Sequence, residues 1–369
     1  MKNQGMTLIE LLVTMAILII VLSAVFTSYL TVLKSHIQQS AIAQTNIEKA
    51  IALEILRKDI EMAGFGLPWN VNGTSYSEAD SDSNYTPDPS SFNDDPPNPP
   101  RGFVFSDNGT TDANYSDVLV IKSSIVNIDN KAAKKWGYAY YNSSQWSIKS
   151  LSSEEFDKGD YYIALTIDDR KLTPDSTSNS TNWYFNTLSP DLGNDTGELY
   201  LIFGIYSSSN PTNSPRMPFN RVDYYLKRPK AEKFPDRCNP DTFELYRAEI
   251  NQGNGKRNPQ PILDCVADFQ VAFGLDTNSD GIIDRWANNL PSSAEAIRTQ
   301  VKQVAVYIIY QEGQKDDHPV FSQSSIDISA PDGSPIKSVD LTNFSNYQFY
   351  RWKVLQMRVN PLNLAPEER

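Results

Sequence analysis

The sequence predicts an α+β protein, in which one very long N-terminal α-helix packs on a mostly antiparallel β-sheet domain with long loops. Three observations carry this. Between Gly5 and Gly64 there is no glycine, and no proline precedes Pro68, so nothing in that interval carries the punctuation that ends a helix. Further on, apolar residues come in short runs bounded by turn residues, the signature of strands. The links between those runs are too short for crossover helices, which makes antiparallel pairing the expectation.

A helix over residues 6–63 would be a rod of about 87 Å at roughly 1.5 Å per residue, and such length needs a membrane or a bundle around it. Its first part, about 6–26, is apolar all round apart from Thr7, Glu10, Thr14 and Ser23, and just reaches the roughly 20 residues that span a bilayer. The lone carboxylate, Glu10, is costly at membrane depth and calls for a partner, unless it only marks the interface. From Leu30 the pattern turns amphipathic. Leu33, Ile37 and Ala41, then Ile47, Ile51 and Ile55, recur at four-residue spacing, opposite Lys34, Gln38, Gln39, Gln44, Lys49 and Lys58. That stripe serves packing on the chain's own domain, on other helices, or on both along different lengths. Gly64-Phe65-Gly66-Leu67-Pro68 ends the helix.

Residues 64–369 are expected to form the globular β-rich domain. The stretch 69–116, dominated by Ser, Asn, Asp, Gly and Pro, reads as a long surface loop or a partly disordered one, as does 174–197. Strands are expected at 118–121, 161–167, 199–206, 222–226 and 243–246, at the alternating run from Cys265 to Leu275, and at the doubly apolar run 301–310. Near the end, a bulge between Val354 and Leu355 would keep Tyr350, Trp352, Val354, Leu355, Met357 and Val359 all facing inward.

Composition excludes several functions. Acidic residues outnumber basic ones 45 to 33, a net charge of −12, which argues against nucleic acid or an anionic membrane surface as the main partner. Two cysteines and two histidines leave little for a zinc site or nucleophilic catalysis, and His36 and His318 read as solvated. No pair of carboxylates stands out by spacing, and Gly64-Phe65-Gly66 is a helix terminator, not a nucleotide fingerprint.

The loop Asp276-Thr277-Asn278-Ser279-Asp280-Gly281-Ile282-Ile283-Asp284 places oxygen side chains at alternate positions before a glycine, like the first half of an EF-hand calcium loop. Ala287 stands at the twelfth position, where a bidentate Glu would close the site, so this is no EF-hand. Asp276, Asn278, Asp280 and Asp284, with the Ile282 carbonyl, are the expected Ca²⁺ ligands. The alternative is an Asx-rich turn without metal.

The leader 1–5, the apolar run that follows Gly5 and the glutamate four residues beyond Met6 are unlike an ordinary secretory signal. The run Gly5-Met6-Thr7-Leu8-Ile9-Glu10-Leu11-Leu12-Val13 resembles the type IV pilin signature. The resemblance implies that a prepilin peptidase cuts after Gly5, that Met6 becomes the methylated N-terminus, and that Glu10 pairs with a neighbouring subunit's terminal amine during assembly. Cys238-Asn239-Pro240, Leu263-Asp264-Cys265-Val266-Ala267-Asp268-Phe269-Gln270 and the Asp-rich loop after them resemble PilW-type minor pilins. With export by its own leader, a Cys238–Cys265 disulfide is expected. The resemblance implies no enzyme. It implies a single pass of the inner membrane before assembly, then an extracellular pilus. Its partners would be other pilins through the helix, and the role implied is priming near the tip in support of an adhesive partner. A J-type secretion pseudopilin is usually shorter, a major pilin would be crowded by these loops and usually carries a proline in its membrane half, and a membrane-anchored enzyme is the remaining reading.

Overall fold

The computed structural model describes residues 7–94, 96–110, 113, 115–142, 145–175, 182–193, 198–208, 214–229, 232 and 234–364. A single helix, α1, runs over Leu8–Glu61, 54 residues. Thr7 caps its start, and the chain leaves it through Gly64 and Gly66 at φ of 80° and 69°, left-handed conformations that glycine adopts without strain.

Most of the sheet domain is one eight-stranded antiparallel sheet. Its strands are β1 (Phe103–Thr110), β2 (Ser116–Ser123), β8 (Asn220–Lys227), β9 (Phe243–Ile250), β10 (Arg257–Leu275), β12 (Val301–Glu312) and β15 (Arg351–Val359) in that spatial order, with the short β11 (Arg285–Ala287) paired to β10. A five-stranded sheet is inserted in the chain between β2 and β8. It orders β4 (Gln145–Ser150), β3 (Trp136–Asn142), β7 (Leu199–Ser207), β5 (Asp160–Thr166) and β6 (Leu172–Thr173). The hairpin β13–β14 (Ser325–Ser329, Pro335–Asp340) is inserted between β12 and β15, and a short helix α2 (Ala294–Gln300) precedes β12.

The large sheet is buried on both faces. Ala52, Leu56 and Ile60 of α1 join Leu119, Val222, Phe269, Val306 and Val359 in the core on one face. On the other, Ala305, Tyr307 and Trp352 meet Ile328 and Val339 of the hairpin. This explains why β15 needs no bulge. Its register with β12 is unbroken from Val304↔Val359 to Glu312↔Arg351, so Leu355, Met357 and Val359 serve the helix side, Trp352 serves the hairpin side, and Val354 is left exposed. The expected bulge is therefore absent from the strand.

The stretch 69–116 departs from the expected loop. β1 lies inside it, and Val71, Tyr76, Ala79 and Phe92 are buried. Buried ion pairs join this apolar packing in holding it. Lys122 on β2, itself fully buried, holds Glu78 at 2.7 Å and Asp94 at 2.6 Å, and Arg221 on β8 holds Glu78 at 3.2 Å and Asp223 at 2.8 Å. A compositional argument counts only the area that can leave water, so it misses buried ion pairs whose partners come from distant strands. Likewise Trp183, Phe185 and Leu192, within the second polar stretch, pack on the five-stranded sheet.

β10 changes partner at Cys265. Before it, residues from Arg257 to Leu263 pair with β9; after it, Val266 meets both β9 and β12, and Asp268 to Leu275 pair with β12. Cys265 sits at the register shift with φ 55° and is bonded to Cys238, the expected disulfide, at a Cα separation of 5.0 Å.

Candidate assembly interface

From Leu8 to Ile37 every large apolar side chain of α1 is exposed; Leu8, Ile20 and Val32 are 80%, 68% and 67% accessible. No soluble fold leaves such a surface bare, and the helix is long and apolar enough to cross a membrane. The domain touches the middle of the helix through Lys34 and Gln38 and buries side chains only in its last third. Thr45, Ala52, Leu56, Asp59 and Ile60 form the buried line, whereas Ile47 and Ile51 of the expected stripe face outward. The amphipathic pattern thus splits between two jobs, with one row of side chains on the sheet and its neighbour left over.

At the helix start, the backbone N–H and the hydroxyl of Thr7 both donate to Glu10 Oε2 at 2.9 Å, and the Glu10 N–H donates to Thr7 Oγ1 at 3.4 Å. This is a reciprocal capping box, readable from Thr-x-x-Glu. Sequence reading singled out Glu10 and overlooked Thr7. Among the described residues Glu10 therefore has a neutral partner, Thr7, and its carboxylate is exposed. Gly5 and Met6 lie outside the described residues.

The other end is clamped. Arg247 Nε donates to Asp59 Oδ2 at 2.7 Å, and the Tyr224 hydroxyl donates to the same oxygen at 2.6 Å. Arg247 Nη1 donates to Glu249 Oε1 and Nη2 to the Val126 carbonyl, each at 2.6 Å. Burial, and behind it the Asp59 charge, holds the Tyr224 hydroxyl well above its usual range, so it remains a donor at every physiological pH. Nearer the middle, Arg237 bridges Glu48 at 2.6 Å and Asp264 at 2.9 Å, one residue before the disulfide. Nothing in sequence spacing could have paired these residues.

The 276–284 loop gathers Asp276, Asn278, Asp280 and Asp284. Asp276, fully buried, accepts the N–H of Ser279 at 2.7 Å and of Gly281 at 2.9 Å, with Lys302 Nζ 3.4 Å away. Asp284 Oδ2 accepts from the Thr277 N–H and hydroxyl at 2.6 and 2.7 Å. Asn278 Nδ2 donates to Asp280 Oδ2 at 3.2 Å and Asp284 Oδ1 at 3.1 Å, so the amide stands where a cation would bridge the two carboxylates. The Ile282 side chain is exposed, and its N–H donates to Asp280 Oδ1. Among the described residues, no three acidic, His or Cys side chains already stand as a metal-binding group.

An apolar helix bare over most of its length, capped through a glutamate and clamped at its far end to an antiparallel sheet, defines a type IV pilin-like protein. Residues 1–26 match the prokaryotic N-terminal methylation motif, and residues 223–359, which run from β8 to the end of β15, match the Type IV Pilus-assembly protein W family. Over those two segments the chain is similar to type IV pilins of the PilW type, a family of structural, non-enzymatic proteins. A type IV-like pilin from Thermus thermophilus shares 16% identity with it over 44% of this chain and 77% of that one, at a TM-score of 0.24. No curated protein matches it. The methylation motif implies processing by a prepilin peptidase and assembly with pilus components.

Proposed function

We propose that this chain is a minor pilin that primes filament assembly and resides near the filament tip, where its domain supports an adhesive partner. The observation that carries this is the breadth of the domain at the end of a helix made for close packing. The five-stranded insert and the 69–116 stretch, which carries β1, both add to the domain and both fall outside the matched segments. A subunit this wide fits best where it has neighbours on one side only. Before assembly the 6–26 segment spans the inner membrane once with the domain outside the cytoplasm, and cleavage after Gly5 frees the amine that Glu10 of a neighbour neutralises.

The test is deletion of the gene, complementation with a tagged chain, and gold labelling of sheared filaments. The expected result is loss of filaments on deletion and label confined to filament ends, with other pilins in the purified material. Label spread along the shaft, or normal filament number without the gene, would overturn the reading.

The 276–284 loop we read as a weak calcium site. Rotation of the Asn278 amide would turn Oδ1 toward the Asp280 and Asp284 carboxylates, completing an oxygen set with Asp276 and the Ile282 carbonyl. With no bidentate glutamate to close it, the affinity expected is that of extracellular modules, about 10⁻⁴ to 10⁻³ M.

A further inference from the structure

We infer that Trp69, Arg170 and Arg298 form a binding site for an oxyanion, a carboxylate or phosphate group, on the domain just beyond the end of α1. The guanidinium carbons of Arg170 and Arg298 lie over the Trp69 ring at 5.0 and 4.1 Å from its centroid. The three residues come from separate places: the segment after the helix, the turn between β5 and β6, and α2.

Four features set this cluster apart from ordinary packing. First, neither arginine forms an ion pair among the described residues, in a chain where acidic residues outnumber basic ones 45 to 33 and the buried arginines 221, 247 and 257 are all paired. Glu295 attracts Arg298 from one turn away without reaching it. Second, both guanidiniums are half-buried, so each has lost part of its water without gaining a counter-charge. Burial, and behind it the like charge of Arg298, hold Arg170 below the usual guanidinium range. Third, Arg170 adopts φ 44°, a left-handed conformation that a branched-free long side chain rarely takes, and the surrounding bonds hold it there: the Trp69 N–H donates to the Arg170 carbonyl at 3.0 Å and the Leu172 N–H to the Asn70 carbonyl at 2.8 Å. Fourth, the ring face gives an apolar wall beside two planar donor forks, the geometry that suits a bidentate oxyanion carried on a ring or chain.

Two like charges gathered against one ring repel, and an oxyanion accepting from these guanidiniums relieves the repulsion. Sugar acids and phosphate esters both present such a group, and the site does not require either carrier.

The test is isothermal titration of the full-length chain in detergent at low ionic strength, once with inorganic phosphate and once with glucuronate. Saturable binding of at least one of them is expected, and which of them binds assigns the carrier. Arg298→Gln should weaken it at least tenfold, Arg170→Asn, which tolerates the left-handed backbone, should do likewise, and Arg358→Gln, an exposed arginine on β15, should leave it unchanged. If Arg298→Gln loses its cooperative melt, Arg298→Lys, which keeps the charge but not the fork, replaces it and should still bind several-fold more weakly. No saturable binding of either anion to the wild type, or equal binding in the arginine variants, would overturn the site.

Discussion

Arg247 reaches Asp59 at 2.7 Å across the junction of helix and sheet, with the two side chains only 5% and 8% exposed. The pair ties the last turn of α1 to β9 and, through Tyr224, to β8. Removing Asp59 leaves the buried Arg247 with only Glu249 as counter-charge and its Nε without a partner, a loss toward the lower end of the about 3–5 kcal/mol that breaking a buried pair costs. Asp59→Ala should therefore lower stability by that order in urea unfolding of the full chain, whereas Asp59→Leu combined with Arg247→Met should recover most of the loss. A small effect of the single change would show that the clamp is not what joins helix to sheet.

Glu10→Gln should abolish incorporation into filaments while leaving membrane insertion intact, because the amide keeps the shape and the cap but cannot neutralise a neighbour's ammonium. Thr7→Ala should cost the helix about 1 kcal/mol as a lost cap yet still assemble. Immunoblots of sheared filaments against whole membranes separate the two roles. Loss of assembly in Thr7→Ala with retention in Glu10→Gln would reverse the assignment.

Asp117 on β2 accepts the Val271 N–H at 2.8 Å, on the side of β10 that β9 does not reach, and the Asn108 N–H at 3.0 Å. Burial pushes its carboxyl up to about 8 despite those two donors. The folded state then holds a proton that the unfolded chain has released, so this stability is complete below about pH 4 and is lost as pH rises through about 8. Between those limits the slope approaches 1.4 kcal/mol per pH unit. Urea midpoints at pH 5, 7 and 9 should fall in the wild type and flatten in Asp117→Asn.

The Cys238–Cys265 bond closes a loop of 27 residues, worth on the order of 3–4 kcal/mol by chain entropy. Reduction, or Cys238→Ser with Cys265→Ser, should lower the urea midpoint accordingly. It should also loosen the Arg237 bridge between Glu48 and the strand, read as faster hydrogen exchange at 44–49.

Millimolar calcium should raise the melting temperature of the wild type relative to chelator by an amount corresponding to on the order of 1 kcal/mol, since only the folded loop offers the ligands. Asp280→Ala should remove the shift. An unmoved wild type would leave 276–284 as an Asx turn held by its own N–H groups and Lys302.

The strands β2, β5, β7, β8, β9, β10 and β12 were legible in the sequence because their apolar runs are long and sharply bounded. β1 was hidden because Phe103-Val104-Phe105 runs straight into Ser106-Asp107-Asn108, and β13 and β14 because only Ile328 and Val339 of each hairpin arm are buried. Glu10 was legible as a charge in the wrong solvent. Asp59 and Arg247 were not, because a contact across 188 residues leaves no local trace. The same holds for Glu78 with Arg221, 143 residues apart, which is why the polar stretch around Glu78 looked unable to order itself.

The bare stretch of α1 has a thermodynamic reading. From Leu8 to Ile37 its large apolar side chains all lie open, so the mature chain has no stable home in solution and passes between two oily hosts, the bilayer and the pilus. Hydrocarbon suits these side chains about equally well in both, so the greasy surface that makes each host necessary cannot choose between them. That choice falls to the few polar atoms along the rod. On the assembly proposed above, it is Glu10, poorly served in lipid and paired with a neighbour's terminal amine in the bundle, that gives the traffic its direction.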